Sequence, residues 1–220
     1  LTEYYKTPGI SKYSIPVQRA NAFRYILQNR TIWIGENELI VGERGPRPQA
    51  APTYPELCCH SLDDLEVLGS RDRTPFNVDE ETKKIYRDTI IPFWQGNAMR
   101  NILFENMSEL WNEAFEAGIF TEFMEQRAPG HAILDDKIYH RGFLDFKLDI
   151  TEKRASLDMM NDPEGWEKRE ELNAMEICCD ALIEFAGRFA DLARSQAGSC
   201  SDPARKDELL EIADTCDRVP

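Results

Sequence analysis

Between Pro163 and Ala197, apolar residues return every three or four positions: Leu172, Met175, Cys179, Leu182, Ala186, Phe189 and Ala193. That alternation marks one long helix with a packing stripe. Asp162-Pro163 is a good start signal and Gly198 a good stop. A second amphipathic helix is predicted over Ile15–Asn29, with Pro16 in its first turn and Ala20, Phe23, Ile26 and Leu27 on one face. Further helices are predicted over Cys58–Leu68, capped by Ser61, and over Asp79–Trp94, ended by Pro92. The run Met107–Glu125 is capped by Ser108 and carries Leu110, Trp111, Phe115, Ile119 and Phe123 at helical spacing. Two more are predicted over Tyr139–Met159 and from Ser201-Asp-Pro through Leu209, Leu210, Ile212 and Ala213.

Two short runs break the helical pattern. Thr31–Ile34 and Glu38–Gly42 are β-rich and flank the turn sequence Gly35-Glu-Asn, so they are read as strands or as merely extended chain. The stretch from Gly42 to Pro55 is rich in proline and glycine and reads as an extended wrapping segment. No internal repeat is visible. The fold class is mostly α with a few short strands.

Length and charge narrow the partners. A chain of 220 residues with a hydrophobic fraction of 42% can bury a sizeable core. A net charge of −14 repels phosphate backbones and anionic lipid, so nucleic-acid binding is not expected. No apolar run reaches the roughly 20 residues of a membrane span, and the first residues lack a secretory core. The absence of an initiator methionine leads to the expectation of a trimmed N-terminus. Cys58, Cys59, Cys178, Cys179, Cys200 and Cys216 form no CxxC pattern and no zinc spacing with histidine. They are read as reduced, packed thiols of a cytoplasmic protein, with no metal.

Candidate chemistry concentrates in Phe120–Phe143, where Pro129-Gly130 breaks the chain and His131 follows at once. Composition alone makes His131 a hydrogen-bonded loop residue ahead of a functional one. Glu122, Glu125, Gln126 and Arg127 read as a surface lattice. Asp63-Asp64 and Asp135-Asp136 read as caps or solvated faces rather than catalytic pairs, because adjacent side chains on a helix diverge. His60 reads as packed or exposed and His140 as exposed. There is no nucleophile elbow, phosphate loop or HExxH.

Several segments, taken together, resemble the N-terminal part of glycyl radical enzymes, the pyruvate formate-lyase superfamily. They are IPVQRANAFRYILQNRTI, ELIVGERG, APTYPELCCHSLDDLEV, IIPFW, FTEFMEQRAPGH, KIYHRGFLDF and LLEIADTCDRVP, in collinear order over nearly the whole chain. APTYPELCCH and FTEFMEQRAPGH most resemble the trans-4-hydroxy-L-proline dehydratase branch.

The resemblance implies a ten-stranded α/β barrel of two half-barrels surrounded by helices, of which residues 1–220 would be the N-terminal portion of one domain. It implies a glycyl radical installed by an activating enzyme that uses a [4Fe-4S] cluster and S-adenosylmethionine. A cysteine on a barrel loop would abstract hydrogen from substrate, and a glutamate would assist as water leaves. None of those three residues has a counterpart here, so they are expected beyond Pro220, and the segment alone is expected to be inactive. His131 would lie near the departing substrate hydroxyl and Phe123 would line the same pocket. The implied reaction converts trans-4-hydroxy-L-proline to pyrroline-5-carboxylate and water. Other glycyl radical dehydratases, C–C, C–N or C–S lyases, and a non-catalytic helical module are the alternatives. Partners implied are a small-molecule substrate, the activating enzyme, the remainder of the barrel and a second copy in a homodimer. The stripe Leu172–Ala193 would lean on that missing barrel.

Overall fold

The computed structural model describes residues 1–43, 45–48, 50–120 and 135–219. In chain order the helices are α1 (Thr2–Tyr5), α2 (Ile15–Asn29), α3 (Leu62–Ser70), α4 (Glu80–Ile85) and α5 (Ile91–Trp94). They continue as α6 (Met99–Asn106), α7 (Glu109–Glu116), α8 (Phe143–Ala155), α9 (Gly165–Ser199) and α10 (Pro203–Arg218). Single turns of 3-10 helix occupy Ile10–Lys12 and Asp135–Tyr139. The chain divides into two compact units, one drawn from residue 1, 3–51 and 132–220 and the other from residue 2 and 52–131.

The first unit is built on α9. Its 35 residues rise about 1.5 Å each, and α2, α8 and α10 pack along it. Small residues make that possible: Ala181, Ala190 and Ala193 of α9 and Ala213 of α10 are fully buried. A methyl group in the contact lets helix axes approach closely. Phe189, Ala197, Leu209 and Ile212 complete a core with Ile34, and Val17, Ala20 and Ala174 form a second cluster between α2 and α9. The expected stripe is therefore only partly the buried one. Cys179, Phe189 and Ala193 are inside, whereas Met175 is half exposed, and the other buried positions of the helix are alanine apart from Gly165.

Charged side chains tie the helices to α9. Arg24 of α2 pairs with Glu184, which also accepts from Gln28 at 2.8 Å. Lys147 of α8 lies 2.5 Å from Asp180, and Arg154 of the same helix 2.5 Å from Glu176. Arg194 pairs with Asp217 of α10.

The predicted short strands are absent: no β-ladder forms among the described residues. The reason is visible in where the carbonyls point. Arg205 donates to Gly35 O at 2.8 Å and Glu38 O at 3.0 Å, Gln196 to Ile34 O at 3.4 Å, and Arg30 to Glu43 O at 3.0 Å. Trp33 Nε1 donates to Gly45 O at 3.1 Å. Side chains hold this segment where a hairpin partner would have. In α2 the bounds match expectation, but Phe23 is partly exposed and Val17 takes the buried place.

In the second unit, Ser61 caps α3 in a reciprocal capping box with Asp64. Asp79 caps α4 by accepting from Thr82 N. Pro92 does not end that helix. The turn Tyr86–Ile90 widens so that Ile91 N bonds to Tyr86 O, which lets the proline enter the following turn, and the chain stays helical to Trp94. The helix predicted to Glu125 closes earlier, at Glu116, because Gly118 adopts a left-handed φ of 72°. Leu110 and Ile119 are exposed. Helix α6 was not expected. Its first amides reach back to the preceding chain, Met99 N to Glu56 O at 2.9 Å and Arg100 N to Leu57 O at 3.0 Å. Tyr139–Met159 resolves into a 3-10 turn and the shorter α8, with Gly142 between them.

Candidate functional site

His131 and Phe123, the two residues expected to contact substrate, lie outside the described residues, as do Glu122, Glu125, Gln126 and Arg127. What the structure describes is how the chain enters and leaves that stretch.

On the entering side, α6 and α7 hold an aromatic cluster. Phe104 meets Trp111 and Phe115 edge-on, with centroids 5.2 and 4.8 Å apart, and Trp111 stacks parallel to Phe115. Phe120 joins with its ring 4.9 Å from Trp111. The helical spacing of Trp111 and Phe115 puts both on one face, and Ser108 fixes the start of their helix by accepting from Trp111 N at 3.2 Å. Arg100 lies over Phe104 and Phe115 at 5.2 and 5.7 Å and donates to Cys58 Sγ at 3.4 Å. This cluster anchors the chain just before residue 121. On the leaving side, Arg141 grips Asp149 through both terminal nitrogens, at 2.7 and 2.9 Å, and Gly142 N donates to Asp145 Oδ2 at 3.0 Å. The hydrogen bond from Arg141 holds the Asp149 carboxyl below the usual carboxylate range.

The other sequence candidates carry no acid–base pair. His60 Nδ1 stands 4.0 Å from Asp64 Oδ2, and that oxygen already accepts from Ser61 N at 2.8 Å. His140 is exposed. Burial pushes the Cys59, Cys178, Cys179 and Cys216 thiols up, so they stay protonated at neutral pH. Among the described residues no three His, Cys, Asp or Glu side chains are grouped to hold a metal, and no helix is long and apolar enough to cross a membrane. Sequence reasoning overlooked Arg100, because Met99, Ile102 and Leu103 give only two turns of pattern.

Two apolar hollows flank α8 in the first unit. One, of about 830 Å³, is walled by Phe143, Phe146, Ile150, Leu172 and Cys178. The other, of about 580 Å³, is walled by Ile40, Phe146, Leu182, Phe185 and Val219. Charged side chains line both, Asp149, Lys153 and Glu171 in the first and Arg141, Glu208 and Glu211 in the second, and both are open troughs rather than enclosed pockets.

The chain is 49% identical over all its residues to trans-4-hydroxy-L-proline dehydratase of Clostridioides difficile and spans 28% of that protein's length. It is 33% identical over 94% of its residues to isethionate sulfite-lyase of Nitratidesulfovibrio vulgaris, covering 26% of it. In three dimensions it superposes on the C. difficile hydroxyproline dehydratase, solved with trans-4-hydroxy-L-proline bound, with a TM-score of 0.91. That match covers 100% of this chain and 28% of the other. Against the glycerol-bound B12-independent glycerol dehydratase of Clostridium butyricum the TM-score is 0.87 at 30% identity, over 99% of this chain and 28% of the other. The chain thus spans little more than a quarter of the relatives it matches. The pattern of the pyruvate formate lyase-like family matches residues 1–220, and the chain belongs to that family.

Proposed function

We propose that residues 1–220 are the N-terminal portion of the barrel domain of a glycyl radical dehydratase, whose substrate is trans-4-hydroxy-L-proline. The observation that carries this reading is 49% identity over all 220 residues to the hydroxyproline enzyme, against 33% to a C–S lyase of the same superfamily. The net reaction removes the C4 hydroxyl and a hydrogen as water and leaves pyrroline-5-carboxylate. The glycyl radical, on polypeptide outside this segment, would supply the unpaired electron with which the catalytic cysteine abstracts hydrogen. A radical S-adenosylmethionine activating enzyme with a [4Fe-4S] cluster installs it, and the complete protein works as a cytoplasmic homodimer. The catalytic cysteine and glutamate, too, are assigned beyond Pro220.

This segment's own part is to wall the substrate pocket. His131 donates a hydrogen bond or a proton to the leaving oxygen, which hydroxide chemistry requires because hydroxide departs poorly. Phe123 presents an apolar face to the ring carbons. The aromatic cluster that ends in Phe120 supports this reading, since it fixes the chain next to the stretch that carries both.

The test is anaerobic activation of the complete protein, followed by assay with hydroxyproline, glycerol and isethionate in parallel. Pyrroline-5-carboxylate from the first alone is the expected result. Sulfite from isethionate, or an aldehyde from glycerol, with no pyrroline-5-carboxylate would overturn the substrate.

A further inference from the structure

Arg100 joins two parts of the second unit that lie far apart in sequence. One is the segment leading to Cys58, which hydrogen bonds hold in place. Tyr86 donates to Thr53 Oγ1 at 2.6 Å, and Met99 N and Arg100 N donate to the Glu56 and Leu57 carbonyls. Cys58 itself is buried. The other part is the ring cluster of Phe104, Trp111, Phe115 and Phe120. The Arg100 guanidinium donates to Cys58 Sγ at 3.4 Å and also lies over the Phe104 and Phe115 rings.

The stability of α6 does not account for this arginine. A cation in the first turn opposes the helix dipole, and Arg100 is the second residue of α6. A thiol is a weak acceptor, and a methionine would fill the space between sulfur and rings by apolar contact alone. What a planar guanidinium adds is direction: it lies against ring faces while its N–H aims at a fixed atom. The rings it orients end at Phe120. Phe123 follows three residues later, at most about 11 Å of chain.

We infer that Arg100 is a positioning residue for substrate: it registers the ring cluster on the Cys58 segment and so sets where the pocket-forming stretch leaves Phe120. The inference rests on the reading that Phe123 and His131 wall the hydroxyproline pocket, and Arg100 acts through those two residues. The test is a mutant cycle in the complete, anaerobically activated protein. Arg100→Met should lower kcat/KM for hydroxyproline about tenfold, as a small misplacement of binding groups does, with the glycyl radical signal unchanged. In a Phe123→Ala/His131→Gln background the same substitution should cost roughly twofold or less, because the residues it works through are already gone. Asp79→Ala, which uncaps α4 in the same unit, should leave kcat/KM at the wild-type value. An equal fall in both backgrounds is what loss of folded protein produces, and it overturns the inference, as does no fall in either. Amide exchange of the substrate-free protein gives a second readout. Arg100→Met should speed exchange of the peptide spanning residues 117–131 about threefold or more, and Asp79→Ala should not. Exchange at the wild-type rate in Arg100→Met overturns the inference too. If the wild type dehydrates glycerol and leaves hydroxyproline untouched, the substrate assignment falls, and the same cycle read with glycerol decides the role of Arg100.

Discussion

Arg188 of α9 donates from Nη2 to the backbone carbonyl of Arg30, 2.7 Å away, and through its other terminal nitrogen to the carbonyl of Leu27. Both carbonyls belong to the end of α2, where the last turn has no intrahelical donors left. One guanidinium thus closes a helix across 158 residues of sequence and points the chain into the segment that Arg205 then holds at Gly35 and Glu38.

Arg188→Ala should therefore destabilise the chain by about 2 kcal/mol, the usual range for a charged hydrogen bond to a part-buried acceptor. Arg188→Lys should recover less than half, because an ammonium lacks the planar fork that reaches two carbonyls. Urea unfolding midpoints of the three proteins check this. A fully restored lysine variant would reduce the role to charge alone.

The ion pair between Arg24 and Glu184 gives a pH dependence with a definite sign. The hydrogen bond from Arg24 holds the Glu184 carboxyl below its ordinary range, with Gln28 adding a second and burial opposing both. A depressed carboxylate contributes stability above its unfolded pKa of roughly 4.3 and loses it as pH falls through the folded value. Both side chains are about one-third exposed, 35% and 36%, so solvent screening limits the contribution to about 1 kcal/mol at most. Wild type and Glu184→Gln should differ in unfolding midpoint at pH 7 and converge as pH falls through the depressed carboxylate value. A gap that persists in acid would locate the effect in packing instead.

Gly45 marks the tightest backbone approach. A Cβ added there would stand 2.2 Å from the Ala50 carbonyl oxygen, which cannot swing aside as a flexible side chain would. Gly45→Ala should cost about 2 kcal/mol through overpacking. It should also loosen the Trp33 indole bond to Gly45 O. Thermal unfolding with near-ultraviolet circular dichroism reads both. An unchanged midpoint would mean that residues 45–50 repack freely.

The helices were legible where a cap and a periodic face agree. Ser61 with Asp64 announces α3, Asp202-Pro203 announces α10, and Ile15–Asn29 is read to the residue. Legibility failed where distant side chains decide. Nothing local in Thr31–Gly42 says that Arg205 and Gln196 will occupy its carbonyls, so β-rich composition was read as strand or extended chain without a choice between them. Alanine was caught only in part: the stripe count included Ala193 but passed over Ala181 and Ala190, which are fully buried. Pro92 was read as a stop because a widened turn, which accommodates it, leaves no mark in the sequence. For the site, the sequence pattern alone singled out the break at Pro129-Gly130 but assigned His131 no task. Only resemblance to the dehydratases did that.

The last prediction concerns that histidine. If His131 hydrogen-bonds or protonates the departing hydroxyl, His131→Ala in the complete, activated enzyme should lower kcat/KM for hydroxyproline by about 100-fold or more. The glycyl radical signal in electron paramagnetic resonance should stay at wild-type intensity, since radical installation does not pass through this residue. His131→Gln should regain part of the loss, because an amide N–H still donates a hydrogen bond though it cannot deliver a proton. Phe123→Ala, which removes only an apolar wall, should raise KM more than it lowers kcat. Undiminished turnover in His131→Ala with full radical content would remove the residue from the leaving-group path. A proportional loss of radical and turnover would assign it to the fold of the parent barrel instead.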